Sequence, residues 1–283
     1  MRYIFLILLA LVSFNLSSQN QLLVGSELKV GDKINVTDVI SIISSSISEK
    51  EKPTKSTSVY TVSSQIEVKS ISDNEINFLM VIDSLDLENV VRKDTSIFPV
   101  NYTKMIPQLN VSILNAKEGR MVRLNNEKDF MKSIYYTAES EVRMKYLERI
   151  DMTYFNELFL TIFPFKVGVD LKGKEILEAQ NRIVKSKEVR GSVNSNIDEV
   201  RVLKKGLIGF EKTSKFSLDS KENDAIVASQ GLLTEVVVLD SVSGVIVSSE
   251  LTNNYTVSIK SSIAGESTSV NVGETRTITC SLK

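Results

Sequence analysis

The side chains able to do chemistry are few, and their spacing argues against catalysis. The 283-residue chain has no histidine. That removes the commonest general base, the Ser-His and Cys-His arrangements, and nearly every zinc site of ordinary composition. Its one cysteine, Cys280, shares a predicted strand face with Ile278 and Leu282, so it reads as a small buried apolar side chain. A single cysteine also excludes an intrachain disulfide. Asp83, Asp86 and Glu88 cluster at the end of an apolar strand, whereas a glycosidase needs two carboxylates facing each other across a cleft. A solvated loop is the expectation there. Asp219, Glu222, Asp224 and Asp240 lack the ordered ligand spacing of a calcium loop and read as turn formers. The chain is therefore expected to be non-enzymatic, with no cofactor and no metal.

What remains is aromatic. Tyr135, Tyr136, Tyr154, Phe155, Phe159, Phe163 and Phe165 gather in one stretch. In one reading they are core packing between helices and sheet. In the other they line a cavity that suits an acyl chain or another apolar ligand. On that second reading Phe130, Tyr135, Phe155, Phe159 and Phe163 are the candidate ligand contacts.

The elements that must position these rings follow from periodicity. From Asn126 to Phe163 the pattern is helical: Phe130, Ile134, Ala138, Val142 and Tyr146 recur every four residues. Asp151 can cap a second, shorter helix carrying Phe155, Leu158, Phe159 and Ile162, which stops before Pro164. Elsewhere the period is two. Tyr60, Val62, Ile66 and Val68 fall on one face of a strand, and Ser72-Asp73-Asn74 turns the chain into Ile76 to Ile82, a run apolar on both faces that belongs inside a sheet. Further hairpins join Leu109–Leu114 to Met121–Leu124, and Thr234–Leu239 to Val245–Leu251. Tyr255–Lys260 and Arg276–Leu282 are the last predicted strands. Ser44–Ser58 and Lys185–Asp198 are polar and read as loops, while Lys174–Lys187 fits either a helix or an irregular strand. An apolar-Lys-Val-Gly pattern occurs at Leu28–Gly31 and again at Phe165–Gly168, and reads either as two glycines each serving a tight turn into a strand or as a trace of two halves of comparable plan. Asn-x-Ser/Thr sequons such as those at Asn35, Asn101, Asn110 and Asn254 carry little information in a chain so rich in these residues.

Residues 1–18 combine Arg2, a compact apolar segment and a small polar tail, the plan of a secretory signal peptide. The apolar run is about half the roughly 20 residues of a spanning helix. Residues 19–283 are then expected to form a single β-rich domain with a helical insertion at about 126–163. It would be exported, periplasmic or secreted, with no transmembrane helix, and not lipid-anchored, since no cysteine lies near the N-terminus. A formal charge of −1 gives no field to gather phosphates, so a nucleic-acid partner is not expected.

Lys29-Val30-Gly31-Asp32, Gly119-Arg120-Met121-Val122, Phe163-Pro164-Phe165-Lys166-Val167-Gly168 and Asp240-Ser241-Val242-Ser243-Gly244 together resemble an uncharacterised family of secreted Gram-negative bacterial proteins, a domain of unknown function. A tryptophan after the second Val-Gly is missing here. Strand count and order are also similar to the lipoprotein-carrier type of fold, whose bent antiparallel sheet covers an apolar groove closed by helices. That resemblance implies an α+β protein: a strongly curved, half-barrel-like antiparallel sheet under a helical lid. The expected function is binding of an apolar or amphiphilic ligand between sheet and helices. The alternative is a structural or protein-interaction module of the cell envelope with no small-molecule ligand.

Overall fold

The computed structural model describes residues 27–48, 53–91, 108–116, 119–130, 132, 152–164, 180–185, 189–197, 201–204, 206–222, 225–261 and 267–283. Among the described residues, twelve strands form one sheet: β1 (Lys33–Ser48), β2 (Thr54–Ile71), β3 (Glu75–Val91), β4 (Leu109–Ala116), β5 (Gly119–Leu124), β6 (Gln180–Lys185), β7 (Val189–Ile197), β8 (Arg201–Lys204), β9 (Leu207–Glu222), β10 (Ala225–Asp240), β11 (Ile246–Ser261) and β12 (Ser267–Leu282). Their order is β5-β4-β3-β2-β1-β12-β11-β10-β9-β7-β6, with β8 beside β9, and the described pairs are all antiparallel. Two meanders, β1 to β5 and β6 to β12, are thus joined where β1 pairs with β12 from Ile34↔Leu282 to Ser48↔Thr268.

This corrects the α+β expectation. The described part of the molecule is almost entirely sheet. Its helix is α1 (Met152–Ile162), with a helical turn at residues 127–130. The sheet is an open path, with β5 and β6 at its two ends. Nor is α1 a lid. It touches both β5 and β11, six places apart in the order, and hydrogen-bonds β1 between them. On a flat sheet those strands would lie about 29 Å apart, against about 16 Å for the helix. The sheet therefore folds round α1, which plugs the core.

Period-two alternation explains the strands. On one face, the inner face, Ile34, Val36 and Ile40 of β1, Val62, Ile66 and Val68 of β2, and Phe78 and Met80 of β3 are buried. β3 enters between β2 and β4 along its first half, as its two-sided apolar run requires. Asp83 does not sit in a loop. The pairing skips it between Ile82 and Ser84, a β-bulge, and the strand runs on through Asp86 and Glu88 to Val91.

Two expected loops are strands as well. β1 and β2 reach Ser48 and Thr54, where Ser44 bonds Ser56 (2.7 Å) and Ser46 bonds Thr54. Hydroxyls hydrogen-bonded across the ladder replace apolar contacts there. Residues 180–185 and 189–197 form β6 and β7, paired from Gln180↔Ser195 to Lys185↔Arg190. Tyr255–Lys260 and Arg276–Leu282 are the ends of longer strands, β11 and β12.

The aligned ends of the long antiparallel strands define a base and a tip. The base carries the start of β1 and the end of β12. The tip carries residues 48, 54, 222, 225, 261 and 267. A strap at the N-terminal side crosses the base: Gly31 N donates to Val68 O, Glu27 N donates to Val242 O, and Leu28 between them is buried. Gly31 turns this strap into β1 at φ +94°, a conformation only glycine takes without cost.

Candidate functional site

The aromatic residues expected as ligand contacts are brought together at the base. Phe155, Phe159 and Phe163 lie on or just after α1, and Phe130 on the helical turn. Phe130 meets Phe155 edge-on at 5.1 Å between centroids, and Phe78 of β3 packs 5.6 Å from Phe159 and 4.7 Å from Phe163. Phe130, Phe155 and Phe159 are 0% exposed and Phe163 4%, so with α1 in place these four present no surface to a ligand. Tyr135 lies outside the described residues.

A buried polar cluster fastens the plug. Asp38, on the inner face of β1, is fully buried. It accepts the Tyr154 hydroxyl at 2.8 Å and both Nε and Nη2 of Arg276, at 3.1 and 2.7 Å. Arg276 also lies 5.1 Å over the Tyr154 ring, and its Nη1 is 3.9 Å from Glu157 on α1. Burial, then the Asp38 charge, pushes the Tyr154 phenol well above its ordinary pKa. Burial works against the Arg276 charge, but Asp38 outweighs it and the guanidinium is held above its ordinary value. A forked guanidinium, a carboxylate and a phenol satisfying one another is the condition under which charge is tolerated in a core. The sequence carried a signal for it. Asp38 interrupts the inward series Ile34, Val36, Ile40, and a buried acid demands a partner.

Above this level the inner face changes character. Pairing across β9 to β12 sets Phe216, Gly231, Tyr255 and Val272 in one row and Leu218, Ser229, Val257 and Val270 in the next. Here the apolar side chains are only partly buried. Gly231 is the floor beneath two rings. A Cβ there would come within 2.5 Å of Tyr255 Cβ and 2.8 Å of Phe216 Cζ, and the rings stand 6.1 Å apart. One row below, Asn253 lies between Leu233 and Glu274, and its Oδ1 is buried with no hydrogen-bond partner among the described residues. Beyond the border between β12 and β1 the same rows continue as Ser44 and Ser46, so apolar and hydroxyl-bearing strips run side by side.

Burial raises the Cys280 thiol from 9.0 to about 12, which suppresses the nucleophilic thiolate at neutral pH. Among the described residues no group of three His, Cys, Asp or Glu side chains could hold a metal ion, and no helix is long and apolar enough to cross a membrane.

No protein-family profile matches the chain, and neither does any curated protein. Among solved structures it is similar to lipovitellin, determined in a study of its lipid–protein interactions, with a TM-score of 0.47 and 9% identity over 91% of this chain. The chain spans 26% of the lipovitellin chain's length. It is also aligned with an outer-membrane channel of Pseudomonas putida F1 (TM-score 0.21, 8% identity, 91% of this chain and 98% of that one) and with the outer-membrane protein OprG of Pseudomonas aeruginosa (0.17, 9%, 90% and 97%).

Proposed function

We propose that this protein binds an apolar or amphiphilic molecule without chemically changing it, on the inner face of β9 to β12 near the strand tips, and that it does so as an exported protein of the cell envelope. One observation carries the reading: the same face that is closed with apolar side chains at the base keeps Tyr255, Val257, Val270, Val272, Phe216 and Leu218 partly exposed at the tip. An apolar surface flanked by a few polar groups is the composition of a ligand site. Asn253 Oδ1, buried without a donor among the described residues at the lower end of the strip, is an acceptor a ligand hydroxyl or amine can fill.

The test is native mass spectrometry and organic extraction of purified protein, followed by titration with a fluorescent fatty-acid probe. Bound amphiphile, and probe binding lost in Val257→Asp and Gly231→Val variants that retain their β-sheet circular dichroism, support the reading. Protein that carries nothing and ignores the probe refutes it.

A further inference from the structure

The opposite, outer face of the same strands holds a second feature that ligand binding does not use. We propose that β9 to β11 form a self-complementary docking surface for a second copy of this chain, packed face to face and antiparallel.

The row Thr213–Thr234–Thr252 crosses β9, β10 and β11 and is the centre of the patch. Two residues toward the tip, the row is Lys215, Leu232, Asn254. Two residues toward the base, it is Glu211, Val236, Glu250. Leu232 and Val236 are 43% and 47% exposed, and Lys215, Glu211, Asn254 and Glu250 are exposed around them.

A two-fold axis across the strands at the threonine row reverses strand direction and keeps β9 over β9, β10 over β10 and β11 over β11. Leu232 then faces Val236 of the other copy, Lys215 faces Glu211, and the Asn254 amide faces the Glu250 carboxylate. Each contact occurs twice, as an isologous interface demands. Opposite charges meet, and the apolar pair is placed between them. The outer face of β9 to β11, three strands of 16 residues each, measures about 14 by 54 Å, on the order of 800 Å². A standard interface takes about 800 Å² from each partner. The fit is selective: sliding one copy by two residues puts Lys215 opposite Thr213 and loses the charge pairing.

Charge reversal tests this directly. Lys215→Glu places Glu against Glu twice, and Glu211→Lys places Lys against Lys twice. Either single change is expected to weaken dimerisation at least about tenfold in sedimentation equilibrium at low salt. The double variant Lys215→Glu/Glu211→Lys restores opposite pairs and is expected to recover dimerisation to near the original strength. Val236→Ser weakens association with no charge involved. All three substituted side chains are exposed, so far-UV circular dichroism should stay unchanged and loss of folding cannot mimic the result. A chain that is monomeric at about 100 μM, weaker than any specific pairing of this size warrants, overturns the proposal. So does a dimer indifferent to both single reversals, or one that the double variant fails to restore. None of these outcomes depends on ligand binding at the inner face.

Discussion

The base and the tip of the inner face are made from the same strands and the same alternation, yet they do opposite things with apolar side chains. At the base, Ile34, Ile66, Met80 and Leu109 are closed over by α1 and by the strap carrying Leu28. At the tip, Tyr255, Val257 and Val270 stand in rows of equal regularity and remain partly open. Alternation alone does not make the difference: although β1 turns from Ile34, Val36 and Ile40 to Ser44 and Ser46, β9 to β12 still carry apolar side chains inward at the tip. The difference comes from what is laid on the strands: tilted and edge-on aromatic pairs and an ion-paired latch at one end, and a glycine beneath two rings at the other. A strand specifies which face is apolar. A second element decides whether that face becomes core or surface.

The sharpest way to break this contrast is to truncate one apolar side chain at each end. Phe155→Ala removes a ring that is 0% exposed and packed on Phe130 and Tyr154, and is expected to cost about 3–5 kcal/mol. Val257→Ala at the tip should cost less than about 1 kcal/mol, because its neighbourhood is already in contact with water. Urea denaturation of the two variants checks this. Equal losses would mean that the tip is packed as tightly as the base.

How far the sequence discloses this division is uneven, for physical reasons. Strong alternation shows itself: Tyr60, Val62, Ile66 and Val68 lie on the buried face of β2 as their spacing requires, and the turn at 240–244 closes on Gly244 at φ +74°. β6 and β7 escape because Arg190 to Asn196 alternates among polar and small residues, so period two leaves no hydropathy contrast. The β1–β12 pairing escapes because it joins residues more than two hundred positions apart, a separation no local pattern reports. The aromatic cluster was legible as a cluster, but whether rings form a core or line a cavity depends on where the sheet folds, which spacing along one chain does not encode. The tip strip, in turn, is assembled from four strands, each contributing one or two residues per row.

The latch gives a second, smaller test of the same contrast, because polar groups at the base lack the solvent that compensates them at the tip. Asp38→Ala leaves the Arg276 guanidinium buried without its carboxylate and should cost about 3–5 kcal/mol. Tyr154→Phe deletes one hydrogen bond and should cost about 0.5–1.5 kcal/mol. Replacing the pair together, as Asp38→Leu/Arg276→Met, should recover much of the first loss, since a well-packed apolar pair can substitute for a buried ion pair. Thermal unfolding of the series reads all three. A double variant as unstable as Asp38→Ala would show that the charges, and not only their mutual satisfaction, hold α1 to β1.

The mildest contrast is between two thiols, one native and one placed. Cys280 sits on the inner face opposite Val36, and burial, with the Asp38 charge adding to it, raises its pKa to about 12. The raised value means that above the ordinary 9.0 the unfolded chain gives up this proton while the folded chain keeps it. The folded state then binds more protons, so stability falls as pH climbs from 9 toward 12, by up to about 1.4 kcal/mol per pH unit. Cys280→Ala should remove that slope without changing stability greatly at pH 7. Val272→Cys in the Cys280→Ala background places a thiol four strand positions from Arg276, in the open row beside Tyr255. Iodoacetamide should alkylate it far faster than Cys280 at pH 8, where the native thiol is held protonated. Because the two thiols share a strand and a face, any difference in their rates measures the covering at each end and nothing in the strand itself.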